Sequence, residues 1–251
     1  MVTDNLSNSG PFSSYIRTSE FRRLLRQLQT VQASNSASSI SIISRFAQEG
    51  RSFFTAALAV GFASLLLKKV LVIDTIREKS RGGFPLRSIL RRSAETLFQS
   101  KSGVIHLITI EHTKNHSYFY HDPLVPNHTT NLPTVLDSST SNKQSSSNNM
   151  HSGFSLNEGN GSVEFIFKDL LTGLKPSYDL ILVDTLPLQA SNYQGFDPIV
   201  VGSQVDGVLI LTSPVSLDTI ILNSLREELA RSNIPIIGTI HNPWVTLKRG
   251  K

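Results

Sequence analysis

Glu49-Gly50-Arg51-Ser52 stands between a short β-branched run, Ile40, Ile42 and Ile43, and an apolar stretch that begins at Phe53. A glycine, a cation and a hydroxyl in that order are the residue types of a phosphate-binding loop, G-x-x-x-x-G-K-S/T. In that loop backbone N–H groups cradle phosphate, the lysine reaches the outer phosphates and the hydroxyl binds Mg²⁺. Gly50 and Ser52 occupy the expected places, whereas Arg51 replaces the lysine and Arg45 replaces the first glycine. Arginine keeps the charge but is larger and planar, and Arg45 removes the backbone freedom of glycine. Two carboxylates join this set: Asp74 closes Val70-Leu71-Val72-Ile73, and Asp184 closes Leu180-Ile181-Leu182-Val183. Carboxylates at strand ends beside such a loop hold Mg²⁺ directly or through water. One alone would serve as well as a turn cap; two point to a nucleotide-site ancestry.

The elements that must position these groups follow from periodicity. Residues 40–74 read as strand, loop, helix and second strand, a βαβ unit whose ligand place is the helix N-terminus. The second strand is apolar on both faces, as a central parallel strand is when helices cover both sides. A helix over 15–31, one over 88–99, a strand over 104–110, a helix over 163–172, a strand over 208–211, a helix over 216–232 and a strand over 234–240 continue the β-α alternation. The expected fold is therefore α/β: a three-layer, mostly parallel, doubly wound sheet with its ligand crevice at the strand C-termini. Leu217, Ile220, Ile221, Leu225 and Leu229 are the expected buried side of the 216–232 helix. Asp197-Pro198 is expected to open a helix leading to Val205.

The 251 residues fit one domain over 15–251 after a Ser/Asn/Gly-rich tail over 1–14, with a polar, low-complexity insertion at about 111–160. Residues 137–149 bury too little apolar surface to fold. His112, His116 and His121 lack a carboxylate or cysteine at ligand spacing and read as ordinary loop residues, and Tyr118 and Tyr120 as an aromatic patch around Phe119. Without cysteines, disulfides and thiolate metal sites are excluded. The longest apolar stretch, residues 53–67, is short of the ~18 residues that span a bilayer. A charge of +5, and the cations Arg77, Lys79, Arg81, Arg87, Arg91 and Arg92, suit either a solvated face or an acidic partner: anionic lipid, an acidic protein tail or, less readily, nucleic acid. Glu20, Arg23 and Arg26 share a helical stripe, which could be a solvated charged face or a contact.

These residues carry a resemblance to the cytoplasmic phosphate-loop domain of the bacterial tyrosine kinases and their capsular and exopolysaccharide relatives, a branch of the ParA/MinD-like ATPases. Glu49-Gly50-Arg51-Ser52 resembles the family's E-G-K-S, Val70-Leu71-Val72-Ile73-Asp74 its second Walker motif, and Tyr178-Asp179-Leu180-Ile181-Leu182-Val183-Asp184-Thr185-Leu186-Pro187 its Walker B segment. Glu20-x-x-Arg23-x-x-Arg26 matches the E-x-x-R-x-x-R oligomerisation motif, and Asn242 stands where the family's adenine-contacting asparagine does. The likeness runs in order through residues 15–110 and 163–243.

The resemblance implies a nucleotide site of Glu49, Gly50, Arg51, Ser52, Phe53 and Asn242, with Mg²⁺ on Ser52, Asp74 and Asp184 if ATP or ADP binds. It implies homo-oligomers through Glu20, Arg23 and Arg26, and a cytoplasmic place at the inner membrane face beside a polysaccharide co-polymerase. Three departures qualify this. Arg51 replaces the loop lysine; Ile76 and Glu78 replace the second Asp and the Arg of D-x-D-x-R; and no tyrosine cluster closes the chain, which ends at residues 244–251. Phosphoryl transfer rests on positioning and charge, and losing one electrostatic group typically costs about 10²–10³ in rate. The expected function is a weakly nucleotide-binding or non-catalytic regulatory subunit of polysaccharide export, in which Arg51, Asp74 and Asp184 are catalytic remnants. An active autokinase or ATPase of that pathway is the alternative, and a ParA/MinD-like positioning protein on membrane or DNA a further one.

Overall fold

A computed structural model of the protein describes residues 11–76, 86–99, 103–112, 116–122, 152–157, 163–189, 196–214 and 216–243. Runs rich in apolar residues become the parallel strands of the sheet. They are β1 (Ser39–Ser44), β2 (Lys69–Asp74), β3 (Val104–His112), β6 (Leu180–Asp184), β7 (Gly207–Thr212) and β8 (Ile236–His241). These six pair in parallel, in the order β3-β2-β6-β1-β7-β8. Alternate residues of one strand feed opposite cores: Ile42, Val72 and Leu182 on one face, Ile43, Ile73 and Val183 on the other. The expected doubly wound α/β sheet is what forms.

The first face is covered by α1 (Pro11–Ile16), α2 (Ser19–Asn35), α3 (Arg51–Leu66) and α4 (Leu86–Gln99). The second is covered by α5 (Val163–Leu174), α6 (Pro198–Gln204) and α7 (Thr219–Arg231). Because α3 lies under other helices as well as over the sheet, eleven of its residues are buried, from Arg51 to Ala63. Gly61 marks where α2 crosses it. A Cβ there would lie 2.7 Å from Leu25 Cδ1 and 2.8 Å from Phe21 Cε1, so the close approach requires glycine.

Several sequence expectations are corrected. The single helix expected over 15–31 is two. Thr18 accepts a hydrogen bond from Phe21 N (3.2 Å) as N-cap of α2 and donates to Tyr15 O (2.9 Å), so the chain turns there. Tyr15 then packs against Phe21, Phe53 and Phe54, with ring centroids 4.9–5.7 Å apart. The helix expected over 216–232 starts instead at Thr219, because Asp218 accepts from Ile220 N (2.9 Å). Only Leu225 and Leu229 of its expected buried set are buried; Ile220 is 78% and Leu217 49% exposed, and Ile221 is half-buried. The sheet-facing stripe begins only past the first turn.

The polar region after β3 is not all irregular. β4 (His116–Asp122) pairs antiparallel with β3, and β5 (Ser152–Asn157) with β4, adding two strands at one edge. His112, His116, His121, Tyr118 and Tyr120 thus lie on strands rather than in a loop. Residues 1–10 of the tail expected over 1–14, the basic positions Arg77, Lys79 and Arg81 with Glu78, the low-complexity stretch 137–149 and the chain end 244–251 lie outside the described residues, while residues 11–14 belong to α1 rather than to a tail. Among the described residues, no helix is long and apolar enough to cross a membrane.

Candidate nucleotide site

The sheet brings the chemistry-bearing residues to one end. β6 lies between β1 and β2, and the register aligns Asp74 with Asp184 and Asp184 with Ile42. Both carboxylates therefore stand at neighbouring strand ends, beside the loop that leaves β1 at Ser44 and enters α3 at Arg51. The segment after β6 is tied across the same place: Thr185 Oγ1 donates to Ile42 O (2.9 Å), Leu188 N to Ser44 O (3.0 Å) and Gln189 N to Arg45 O (3.0 Å).

Within the loop, left-handed backbone falls on Gln48 (φ 63°) and Gly50 (φ 94°), not on residue 45. That is why an arginine is tolerated where the phosphate-loop pattern has its first glycine. The Arg45 side chain turns outward and its Nη1 meets Glu228 Oε2 of α7 at 2.9 Å. Gly50, by contrast, is required twice over. Its φ disfavours a side chain, and a Cβ there would lie 2.5 Å from Asn242 Nδ2.

Arg51 does not extend from the loop. Its side chain is 8% exposed and folds back beneath it: Nε donates to Thr185 O (3.0 Å), Nη1 donates to Phe46 O (2.9 Å) and also to Ser44 Oγ. Burial pulls the guanidinium below its ordinary pKa, while the nearby carboxylates of Asp184 and then Glu49 pull it up. Loop, strand end and β6 segment are thus joined through one cation.

Glu49 is buried as well, at 2% exposure. Its Oε2 accepts from Phe46 N (2.9 Å), a backbone N–H of the very kind that phosphate would take. Its Oε1 accepts from Ser213 Oγ (2.7 Å) and from Ser216 Oγ in the turn after β7. Asn242 is 4% exposed and donates from Nδ2 to Glu49 O (2.9 Å), while its own N–H donates to Thr212 O (2.7 Å). The side chain that the resemblance assigns to adenine is thus bonded to the loop backbone in this structure.

The metal candidates divide. Asp74 Oδ1 accepts from Ile76 N (3.0 Å), the turn-capping use that any strand-end aspartate can have. Asp184 is fully buried, and its backbone carbonyl accepts from Thr75 N (3.1 Å) and Thr75 Oγ1 (2.7 Å). Ser52 and Phe53 follow on the first turn of α3, both half-buried. Ile76, where the family's second aspartate would be, is 5% exposed and belongs to the apolar core, so no second charge stands there. A hydroxyl and two carboxylates are donors that suit Mg²⁺. In this structure an internal carboxylate takes one N–H of the loop, that of Phe46, and an internal guanidinium is bonded to Thr185 O and Phe46 O. Glu20, Arg23 and Arg26 are far from this chemistry in role: all three are exposed along α2.

Sequence reasoning missed Ser44, Thr185, Ser213 and Ser216 as members of this cluster. Ser213 and Ser216 lie 164 and 167 residues from Glu49, and small hydroxyl residues after a strand carry no distinguishing pattern of their own.

No protein-family model matches the sequence, and no curated protein matches it. Solved structures do. The kinase domain of the Escherichia coli tyrosine kinase ETK superposes with a TM-score of 0.52 at 19% identity, over 98% of this chain and 82% of that one. The chimerical protein CapA2B2 gives 0.51 at 14% identity, over 94% and 88%. The BceF tyrosine kinase domain gives 0.50 at 16% identity, over 94% and 81%. At such identities the likeness is one of fold: the chain has the doubly wound α/β fold of bacterial tyrosine kinase domains.

Proposed function

We propose that this protein is a non-catalytic member of the tyrosine-kinase-like phosphate-loop group, a regulatory subunit of capsule or exopolysaccharide export that acts by association rather than by phosphoryl transfer. The observation that carries the reading is the Arg51 side chain, which is buried and bonded to Thr185 O, Phe46 O and Ser44 Oγ. In a working loop the cation must be available to the outer phosphates. Here a triphosphate would have to displace three hydrogen bonds to a charged donor, each worth about 1.5–3 kcal/mol. Asp74 and Asp184 then serve as strand-end structure, and no phosphoryl-transfer step is assigned to them.

Association is assigned to the exposed Glu20, Arg23 and Arg26 of α2, as a contact between copies, and to a membrane polysaccharide co-polymerase as partner at the inner membrane face. The group's fold supports this assignment, as does the basic balance of the chain, +5 overall. Calorimetric titration of the protein with Mg·ATP tests the reading. The expected result is no saturable heat at millimolar nucleotide, and no transfer of labelled phosphate to tyrosine. Tight, Mg²⁺-dependent binding, or a phosphorylated product, would overturn it.

A further inference from the structure

We propose that the turn from α3 into β2 is a contact surface for an anionic lipid bilayer, with Leu65 and Leu67 entering the interface and Lys68 and Lys69 meeting the headgroup phosphates. The inference goes beyond the reading above by placing a direct lipid contact on this chain, and it holds whichever protein the chain accompanies.

Leu65-Leu66-Leu67-Lys68-Lys69 joins the last turn of α3 to the first residue of β2. Leu66 packs against the core, whereas Leu65 is 44% and Leu67 67% exposed. Leu67 caps α3 with left-handed backbone (φ 54°), a conformation that suits glycine or asparagine and that leucine adopts at a cost. The same left-handed turn follows α2 at Ser36 (φ 51°) and α7 at Asn233 (φ 53°), both polar residues. A leucine that is strained and also turned to water contributes little to the fold. Its side chain therefore points to a use outside it.

The turn is braced on both sides. Lys68 N donates to Phe62 O (3.1 Å), and the entry to β3 is tied to it, Gly103 N donating to Ala63 O (3.0 Å) and Val104 N to Lys68 O (3.3 Å). Opposite, Lys69 N donates to Asp179 Oδ2 (2.7 Å) and Asp179 N to Lys69 O (2.9 Å). A fixed backbone thus presents the two leucines beside the two lysines.

Charge selects the occupant. Lys68 Nζ lies 3.6 Å from Asp179 Oδ1 in a pair open to solvent, and the exposed Lys69 holds its Nζ 4.9 Å over the Tyr178 ring. Exposed contacts of this kind are worth little, so a phosphate replaces them readily. Lysine stems let the ammonium groups meet headgroups while neighbouring apolar side chains dip below them. The +5 charge of the chain adds attraction from further away. An acidic protein groove would take the same residues, and protein-free vesicles separate the two.

Cosedimentation with such vesicles tests the proposal. Wild type is expected to bind phosphatidylcholine vesicles that contain phosphatidylglycerol, to bind pure phosphatidylcholine far less, and to be released by raised salt. Lys68→Gln with Lys69→Gln should weaken binding roughly fivefold per lysine. Leu65→Ser with Leu67→Gly should weaken it roughly tenfold. Leu67→Gly alone relieves the strained backbone and is expected to melt at or above wild type while binding less lipid, a combination that a merely structural leucine would not produce. Leu217→Ser with Ile220→Ser removes exposed apolar side chains at the start of α7 and should bind as wild type does. Absence of wild type from the anionic vesicles would overturn the proposal and leave a protein groove as the occupant. Leucine variants that bind as tightly as wild type, or equal weakening by the α7 variant, would overturn it too. The Mg·ATP titration reads none of this, so the non-catalytic reading stands or falls separately.

Discussion

If Arg51 is a structural cation, its removal must destabilise the free protein; if it waits for phosphate, its removal should be neutral or stabilising. Arg51→Ala strands Phe46 O, Thr185 O and Ser44 Oγ, and leaves Asp184 and Glu49 without the positive charge that faces them. Breaking one side of a buried charge cluster costs about 3–5 kcal/mol, because the remaining charges stay in low dielectric. The hydrogen bonds share in that figure and are not added to it. Against a typical stability of about 5–15 kcal/mol this is a large fraction. Arg51→Lys keeps the charge but loses the fork that reaches two carbonyls and a hydroxyl together, with an expected loss of about 1–2 kcal/mol. Urea unfolding followed by circular dichroism reads both, with an unchanged m-value showing that the same states are compared. Since the group is buried, the alanine loss should hardly change with salt. A loss below ~1 kcal/mol for Arg51→Ala would refute the argument, for the guanidinium would then be free to serve a ligand.

Three further outcomes follow from the same geometry. Asn242→Ala should destabilise the free protein by about 1–3 kcal/mol in urea unfolding, since the 2.9 Å bond to Glu49 O is buried; an adenine-reading role alone predicts no change without nucleotide. At Asp206 burial pushes the carboxyl up, but the Lys175 ammonium (2.6 Å) and hydrogen bonds from Ser39 and Ser38 outweigh it and leave the pKa below the usual value. Its contribution is therefore present above the unfolded value of about 4 and lost as pH falls through the lower folded value, so Asp206→Asn should flatten the acid limb of stability against pH. Charge reversal of Arg23 and Arg26 together, both exposed on α2, should leave the melting temperature near that of wild type and reduce the oligomer mass measured by light scattering; an unchanged mass would remove α2 as the contact.

The strand runs were legible because burial on both faces demands apolar residues at every position, and Val70-Leu71-Val72-Ile73 and Leu180-Ile181-Leu182-Val183 can be little else. The antiparallel edge was not, because β4 and β5 carry a mixture of polar and aromatic residues that reads equally as loop. Thr18 ends one helix and starts another by a local hydrogen bond, a signal present in the sequence but hidden within a continuous amphipathic pattern.

What the amino-acid order determined by itself was the set of groups at the site: a loop with Gly50, Arg51 and Ser52, and carboxylates at the ends of two apolar strands. Their side-chain types and positions along the chain follow from local periodicity alone. Only the tertiary structure decided where those groups point. Arg51 turns to Thr185, Glu49 to Ser213 and Ser216, and Asn242 to the Glu49 carbonyl, partners 134 to 193 residues away that no local pattern couples. A buried charge takes whichever donors or acceptors the fold sets around it, because water is not there to compete. That choice is made by packing rather than by residue type, which is why the sequence alone could not read it.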